Sequence, residues 1–210
     1  MTLKEIAKLA IDESDRMPFA ITEDKGTHEG AIKGWVTRRR NASCLKDDDA
    51  GKKEREEMRD RVKSWLSQEN LDWARGKSRE EIFDKFGNEL VPVSVISRKY
   101  LDYLDPKLID NRVYCGQGYM IDHAVNHHPE LTAQEYDDIQ AVIDNPDDVK
   151  LDDRNEGRPS LVFIKLLDAY TAVVVGVNLD EQDRIVYHKT FFKRNKNAPY
   201  PKMQSIFKKS

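Results

Sequence analysis

Long apolar runs are missing from this sequence. No stretch approaches the ~18 consecutive apolar residues that a membrane-spanning helix needs. Its start, MTLKEIAKLAIDESD, carries charges where a secretory signal would have an apolar core. Cysteine is scarce as well. Cys44 and Cys115 are too few for a disulfide framework, so a reducing cytoplasm is the expected location. Ten glycines in 210 residues exclude a collagen-like fibre. Hydrophobic residues at 39% still suffice for a globular core, and charged residues, at 35%, exceed the usual ~25%.

Net charge of either sign is nearly absent, at −3, but that average conceals a division. Residues 129–156 hold ten acidic and two basic side chains, a net −8. Residues 157–210 hold ten basic and four acidic ones, a net +6. The last eighteen residues, KRNKNAPYPKMQSIFKKS, contain six cations and no carboxylate. Four of the five histidines, His123, His127, His128 and His188, fall in the second half.

The organisation is that of an α+β protein in two regions. Residues 1–110 form a mainly helical N-terminal region of no assigned role. Thr2 is positioned to cap a first helix, and residues 49–69 place Met58, Val62, Trp65 and Leu66 at helical spacing. Ser78 and Glu81 make a capping box ahead of a helix that stops at Gly87. Leu90 to Ile96, with Pro92 inside it, is an edge-strand pattern. Gly76-Lys77-Ser78 mimics the end of a phosphate-binding loop, but Leu71 stands where the first glycine is required. Arg38–Arg40 reads as a solvated basic turn.

Residues 111–210 are more regular. Val113–Cys115 is a short apolar stretch, and a helix follows from about Tyr119 to His127, stopped by Pro129. Thr132 and Glu135 suggest a second capping box opening a helix that ends before Pro146. Strands are expected near 148–153, 160–167, 170–177 and 184–192, and short turns between the last three favour a four-stranded antiparallel sheet.

In the helix, His128 falls on the apolar stripe with Ile121, Ala124 and Val125, as a structural histidine would. His123, His127 and Tyr119 face the other way. His123 and His127 have the i, i+4 spacing of zinc ligands, but Ala124 stands where a metallohydrolase has glutamate and no third ligand is evident. Asp122-His123 and Pro146-Asp147 are weak echoes of metal-dependent nuclease motifs. Phe163, two before Lys165, occupies the position where the second of these needs an acid. No metal and no other cofactor is therefore expected.

The strands suggest a sharper constellation. Placing the first hairpin turn at Asp168-Ala169 and the second at Leu179–Asp183 pairs Lys165 with Ala172, and Ala172 with Thr190. His188 and Thr190 then share a face about 7 Å apart along the strand. A one-residue change in either loop destroys that alignment. Imidazole, ammonium and hydroxyl together suit phosphodiester cleavage in RNA: histidine moves protons near neutral pH and lysine stabilises the charged phosphorane. Lys189, Lys193 and Arg194 in the basic tail could follow the backbone, and Tyr200 could stack on a base.

The segments GQGYMIDHAVNHHPELT (116–132), Ile143–Asp147, SLVFIKLLD (160–168) and IVYHKTFFK (185–193), followed by Pro199-Tyr200, also resemble a known group. From Val113 to Phe207 the chain is similar to the phage-associated nuclease-like domains grouped with barnase, EndoU, colicin tRNases and RelE ribonucleases. The resemblance implies metal-independent cleavage of RNA, tRNA or another, on a helix-plus-four-strand sheet, and an origin in a phage or mobile element. An immunity or antitoxin protein is the partner it implies for a toxin-like nuclease. By position, the resemblance puts His123, Lys165, His188 and Thr190 in the active site, with His127 and Lys189 next. The Glu-Arg-Arg-His set of barnase is not matched, so roles do not carry over as a set. The rival reading is a non-catalytic RNA- or protein-binding module. A ribonuclease should show Lys165 and His188 converging on an open cleft; a binding module should show them packed away or neutralised by the acidic stretch.

Overall fold

The computed structural model describes residues 28–46, 48–136, 139–152, 159–168, 171–180, 185–195 and 203–209. The chain divides into two compact units, Met1–Trp35 and Val36–Ser210. In the first, residues 28–35 are described, as the opening turns of a helix. The Thr2 cap lies outside the described residues.

The helices are α1 (His28–Ser43), α2 (Asp49–Trp65), α3 (Gln68–Ala74), α4 (Arg79–Phe86), α5 (Leu101–Leu104), α6 (Gln117–His127), α7 (Ala133–Tyr136) and α8 (Ile139–Asp144). The strands are β1 (Leu90–Val95), β2 (Arg112–Gly116), β3 (Asp148–Asp152), β4 (Ser160–Leu166), β5 (Thr171–Asp180), β6 (Ile185–Asn195) and β7 (Gln204–Lys208). The α+β class and the positions of most expected elements agree with the sequence. Both members of the Ser78–Glu81 capping box are made, and Asp48 caps the charged helix α2 by accepting from the Gly51 amide. The Glu135 side chain of the other expected box lies outside the described residues. Arg38–Arg40 lie in α1 rather than in a turn, and Arg40 is structural: it donates to the Leu108 and Pro106 carbonyls and pairs with Asp102.

The sheet is larger than expected. Among the described residues seven strands form one mixed sheet in the order β1-β2-β6-β5-β4-β3-β7. The four-stranded antiparallel sheet is its centre, and two additions correct the expectation. β1 and β2 form a hairpin whose second strand joins β6 in parallel, at Val113–Val186 and Tyr114–Tyr187. The basic tail, read as a nucleic-acid track, supplies β7 against β3. β2 and β7 each pair with residues more than fifty positions away, a relation that local periodicity does not encode.

One core runs through both sides of the expected boundary between the two regions at residue 110, from Cys44 to Phe191. Tyr100 meets Phe163 edge-on at 5.4 Å, and α8 packs across β1, β4 and β5. Each large side chain buried there, such as Phe163, Ile121 and Leu161, contributes about 1.5–3 kcal/mol. Polar clamps orient the helices over this core. Arg112 binds Glu54 of α2 with two hydrogen bonds, and also the Ser43 carbonyl, holding the Glu54 carboxyl below its usual range. Buried Gln140 of α8 exchanges hydrogen bonds with both backbone groups of Val95, closing the end of the edge strand. No helix among the described residues is long and apolar enough to cross a membrane.

The start of α6 is tightly seated. The Gly118 amide donates to the Gly87 carbonyl at 2.8 Å, and a Cβ at position 118 would lie 2.5 Å from that oxygen and 2.9 Å from Phe83. Gly118→Val should therefore destabilise the protein by about 1–3 kcal/mol, the usual scale of overpacking. Urea denaturation measures it, and unchanged stability would show that α6 is not held against this loop.

Candidate active site

β2 runs into α6 without a loop, and Gly116 serves as the helix N-cap residue. Gly118 and Tyr119 donate their amides to the Gly87 carbonyl and the Asn88 side chain, so two of the orphan donors of the first turn are satisfied. Met120, Ile121 and Ala124 turn into the core, while Tyr119, His123 and His127 lie on the other side, as the periodicity indicates. At the far end His128 leaves helical geometry ahead of Pro129. Beyond its two pairs with β2, β6 is accompanied by α6. The Tyr119 hydroxyl donates to the Lys189 carbonyl at 3.0 Å, and His123 reaches Thr190.

The expected hairpin register is not observed. Leu166 pairs with Ala172, so the first loop is Leu167–Thr171 rather than two residues, and Lys165 faces Val173. Ala172 faces Arg194, four positions from Thr190. A bulge in β6 further separates His188, opposite Val177, from Thr190, opposite Gly176. Gly176 and Val177 are adjacent, so their side chains leave opposite faces of the sheet. Glycine at 176 also makes room for the hydroxyl residue, since a Cβ there would come within 3.0 Å of Thr190 Cγ2.

Lys165 and His188 consequently do not converge. Lys165 donates to the Asn145 carbonyl at 2.8 Å and lies 3.5 Å from the Asp147 carboxylate, which belongs to the acidic stretch. Its row on the sheet, Lys165–Val173–Lys193, lies about 10 Å along the strands from the Gly176–Thr190 pair. His188 is 2% exposed, and its Nδ1 has no hydrogen-bond partner among the described residues. Burial, and then the neighbouring His123, push its pKa down to about 3. As placed, it has no access to a phosphodiester. Lys189, the extra residue of the bulge, is exposed, and Arg194 bonds the Asn195 carbonyl near the strand end. Tyr200 lies outside the described residues.

What the fold does bring together is a cluster at the end of α6. Thr190 Oγ1 lies 2.9 Å from His123 Nε2 and 3.2 Å from His128 Nε2. One hydroxyl proton cannot serve two imidazole lone pairs, so it is donated to one ring while the other ring can donate its own N–H to the hydroxyl oxygen. The rings of His127 and His128 are each centred 4.9 Å from that of His123. Tyr119 stacks on His123 with planes 9° apart, and His128 stacks on Phe192. Burial, reinforced by the two neighbouring histidines, lowers the His123 pKa to about 4. Burial also lowers that of His128, against the pull of Glu130, whose carboxylate is 3.4 Å from Nδ1. Both shifts favour the neutral ring at pH 7. Among the described residues, no group of three or more His, Cys, Asp and Glu has an arrangement able to hold a metal ion.

Two members escaped the sequence. His128 sits on the apolar stripe in projection, but the helix ends before it, and Pro129 is the signal that could have shown this. Arg79 comes from α4, in the helical region assigned no role. Its guanidinium lies 5.9 Å from the Tyr119 ring centre, adding a positive charge to the Tyr119–His123 stack.

A stretch containing this cluster and strands β2 to β6, residues 93–199, matches the phage-Barnase-EndoU-ColicinE5/D-RelE like nuclease3 family. The chain belongs to that family. No curated protein and no solved structure shows a significant similarity to it. Within this nuclease-like domain, α6, the end of β6 and all three clustered histidines fall inside the matched region, whereas Arg79 and the Gly87–Asn88 seat of α6 precede it.

The depressed histidines set a pH dependence. His123 and His188 bind protons more weakly folded than unfolded, so their contribution to stability is present above about pH 6.5 and is lost as the pH falls toward 4. Urea melts across pH 4–7.5 should show that loss, and His188→Leu should lose less stability across the window than wild type. Equal losses would place the acid sensitivity elsewhere.

Proposed function

We propose that this nuclease-family chain is an endoribonuclease that cleaves RNA without a metal, by attack of the 2′-hydroxyl on the adjacent phosphorus. The observation that carries the reading is the Thr190 hydroxyl set between two neutral imidazoles, with a third imidazole beside them. An imidazole base removes the 2′-hydroxyl proton, O2′ bonds to phosphorus, and the P–O5′ bond breaks. A second imidazole, in its protonated form, returns a proton to the departing 5′-oxygen, leaving a 2′,3′-cyclic phosphate. His127, the exposed member, and His128 are the proton-transfer groups in this reading. Thr190 and His123 hold the rings in place. Lys189 and Arg79 supply positive charge where the phosphorane gathers it. DNA lacks the internal nucleophile, which is why RNA is the substrate.

Such an enzyme, from a phage or another mobile element, would damage the cell that makes it, and an immunity or antitoxin protein is the partner class this implies. The second reading, a non-catalytic binding module, draws on the burial of His188 and the Asp147 partner of Lys165.

End-labelled RNA and DNA of one sequence, incubated with the protein in EDTA, separate these readings. RNA should be cut to products ending in 2′,3′-cyclic phosphate while DNA stays intact. His127→Ala and His128→Ala should each lower the rate ~100-fold or more, and Lys165→Ala should change it less than threefold. Equal cleavage of DNA, or loss of activity in EDTA, overturns the mechanism. Binding of RNA without cleavage selects the module.

A further inference from the structure

A second concave surface shares no lining residue with the histidine cluster. It is an open cleft of about 710 Å³ between the segment after β1, the end of α8 and β7. Lys46, Arg55, Arg98, Lys99 and Lys209 line it, with Asp144 as the one carboxylate among its described lining residues. Asp144 is committed to a Gln140 hydrogen bond at 2.6 Å and an Arg55 contact at 3.7 Å. Lys209 approaches Asn145 Oδ1 at 3.5 Å. Lys99 lies 4.8 Å from the Tyr100 ring centre and 4.7 Å from that of Phe207. Arg98 is braced by Asn41 Oδ1 and the Cys44 carbonyl.

Five cations converging on one concavity repel each other, and an anion seated among them relieves that repulsion. The cleft falls within the ~300–1,000 Å³ span of small-ligand sites, the scale of a nucleotide. Guanidinium and ammonium groups together are the usual phosphate-binding pair. Lys165, expected at the cleaving centre, instead borders this region, since the Asn145 it binds is part of the lining. β7, which brings Phe207 and leads to Lys209, is built from the basic tail.

We propose that this cleft binds a nucleotide phosphate, and that in the working enzyme it holds the RNA strand at a phosphate outside the bond being cut. The second clause rests on the ribonuclease reading; the first does not.

The test uses full-length protein carrying His127→Ala, so that RNA survives, with and without Lys46→Ala, Lys99→Ala and Lys209→Ala together. These three are exposed, and thermal melts check that the triple variant stays folded. Binding of a fluorescein-labelled twelve-nucleotide RNA is followed by anisotropy as salt is varied. The triple change should weaken binding at least tenfold and flatten the slope of log affinity against log salt by about 2. Adenosine 5′-monophosphate serves as competitor. Competition at millimolar concentration that disappears in the triple variant supports the site with a free nucleotide as its source. Triple-sensitive RNA binding without such competition supports it with the strand as source.

Unchanged RNA affinity and salt slope in a folded triple variant overturn the proposal. So does triple-sensitive binding of poly-glutamate where RNA does not bind, which would mark a protein interface. On the His127-intact background, the triple variant should raise KM for long RNA and leave cleavage of a dinucleotide unchanged. If wild type cleaves no RNA while the anisotropy difference persists, the ribonuclease reading fails and the phosphate site stands.

Discussion

Two pairs of parallel strand residues, Val113–Val186 and Tyr114–Tyr187, join the β1–β2 hairpin to the meander, and the candidate site depends on that junction. Because β2 turns directly into α6, the short pairing puts the helix beside the rest of β6. The strand's exposed backbone is then met by a helix side chain, with the Tyr119 hydroxyl on the Lys189 carbonyl. Slipping this junction by one residue would turn β2's side chains to the other face and carry α6 with them. The bulge in β6 is the second half of the constraint. It sets Thr190 opposite Gly176, where the threonine methyl has room and the hydroxyl meets two imidazoles, and leaves His188 buried.

The charge division of the sequence acquires a structural meaning. Part of the acidic stretch is consumed internally: Asp147 holds the Leu166 amide and approaches Lys165, and Asp144 serves Gln140 and Arg55. Lys46, Arg55, Arg98, Lys99 and Lys209 line a cleft that shares no residue with the histidine cluster. Within the histidine cluster, burial and neighbouring histidines favour the neutral forms of His123 and His128.

Local patterns in the chain were legible where a local force makes them. The capping box at Ser78, the α6 stripe and the four central strands come from capping hydrogen bonds and from periods of 3.6 and 2, each visible over a few residues. The resemblance carried by residues 116–132 and 185–193 led to the right family for the same reason. The sequence points to both His123 and Thr190, and the structure joins them. Their partner Lys165 was misplaced because its position depended on two loop lengths, and each loop differed. A two-residue loop and a five-residue loop can hardly be told apart in LLDAYT, where no Asn-Gly or Asp-Gly marks the turn.

The sequence by itself determined the element types, the α+β class, the nuclease family and the supply of imidazoles on one helix. Those follow from forces acting between residues a few positions apart. Which imidazoles meet a hydroxyl, which lysine meets a carboxylate and which cations share a cleft were decided only by tertiary structure. Strand register, the bulge at Lys189 and the pairing of β7 with β3 arise from contacts between distant residues, and a shift of one position reverses the face of every side chain they set.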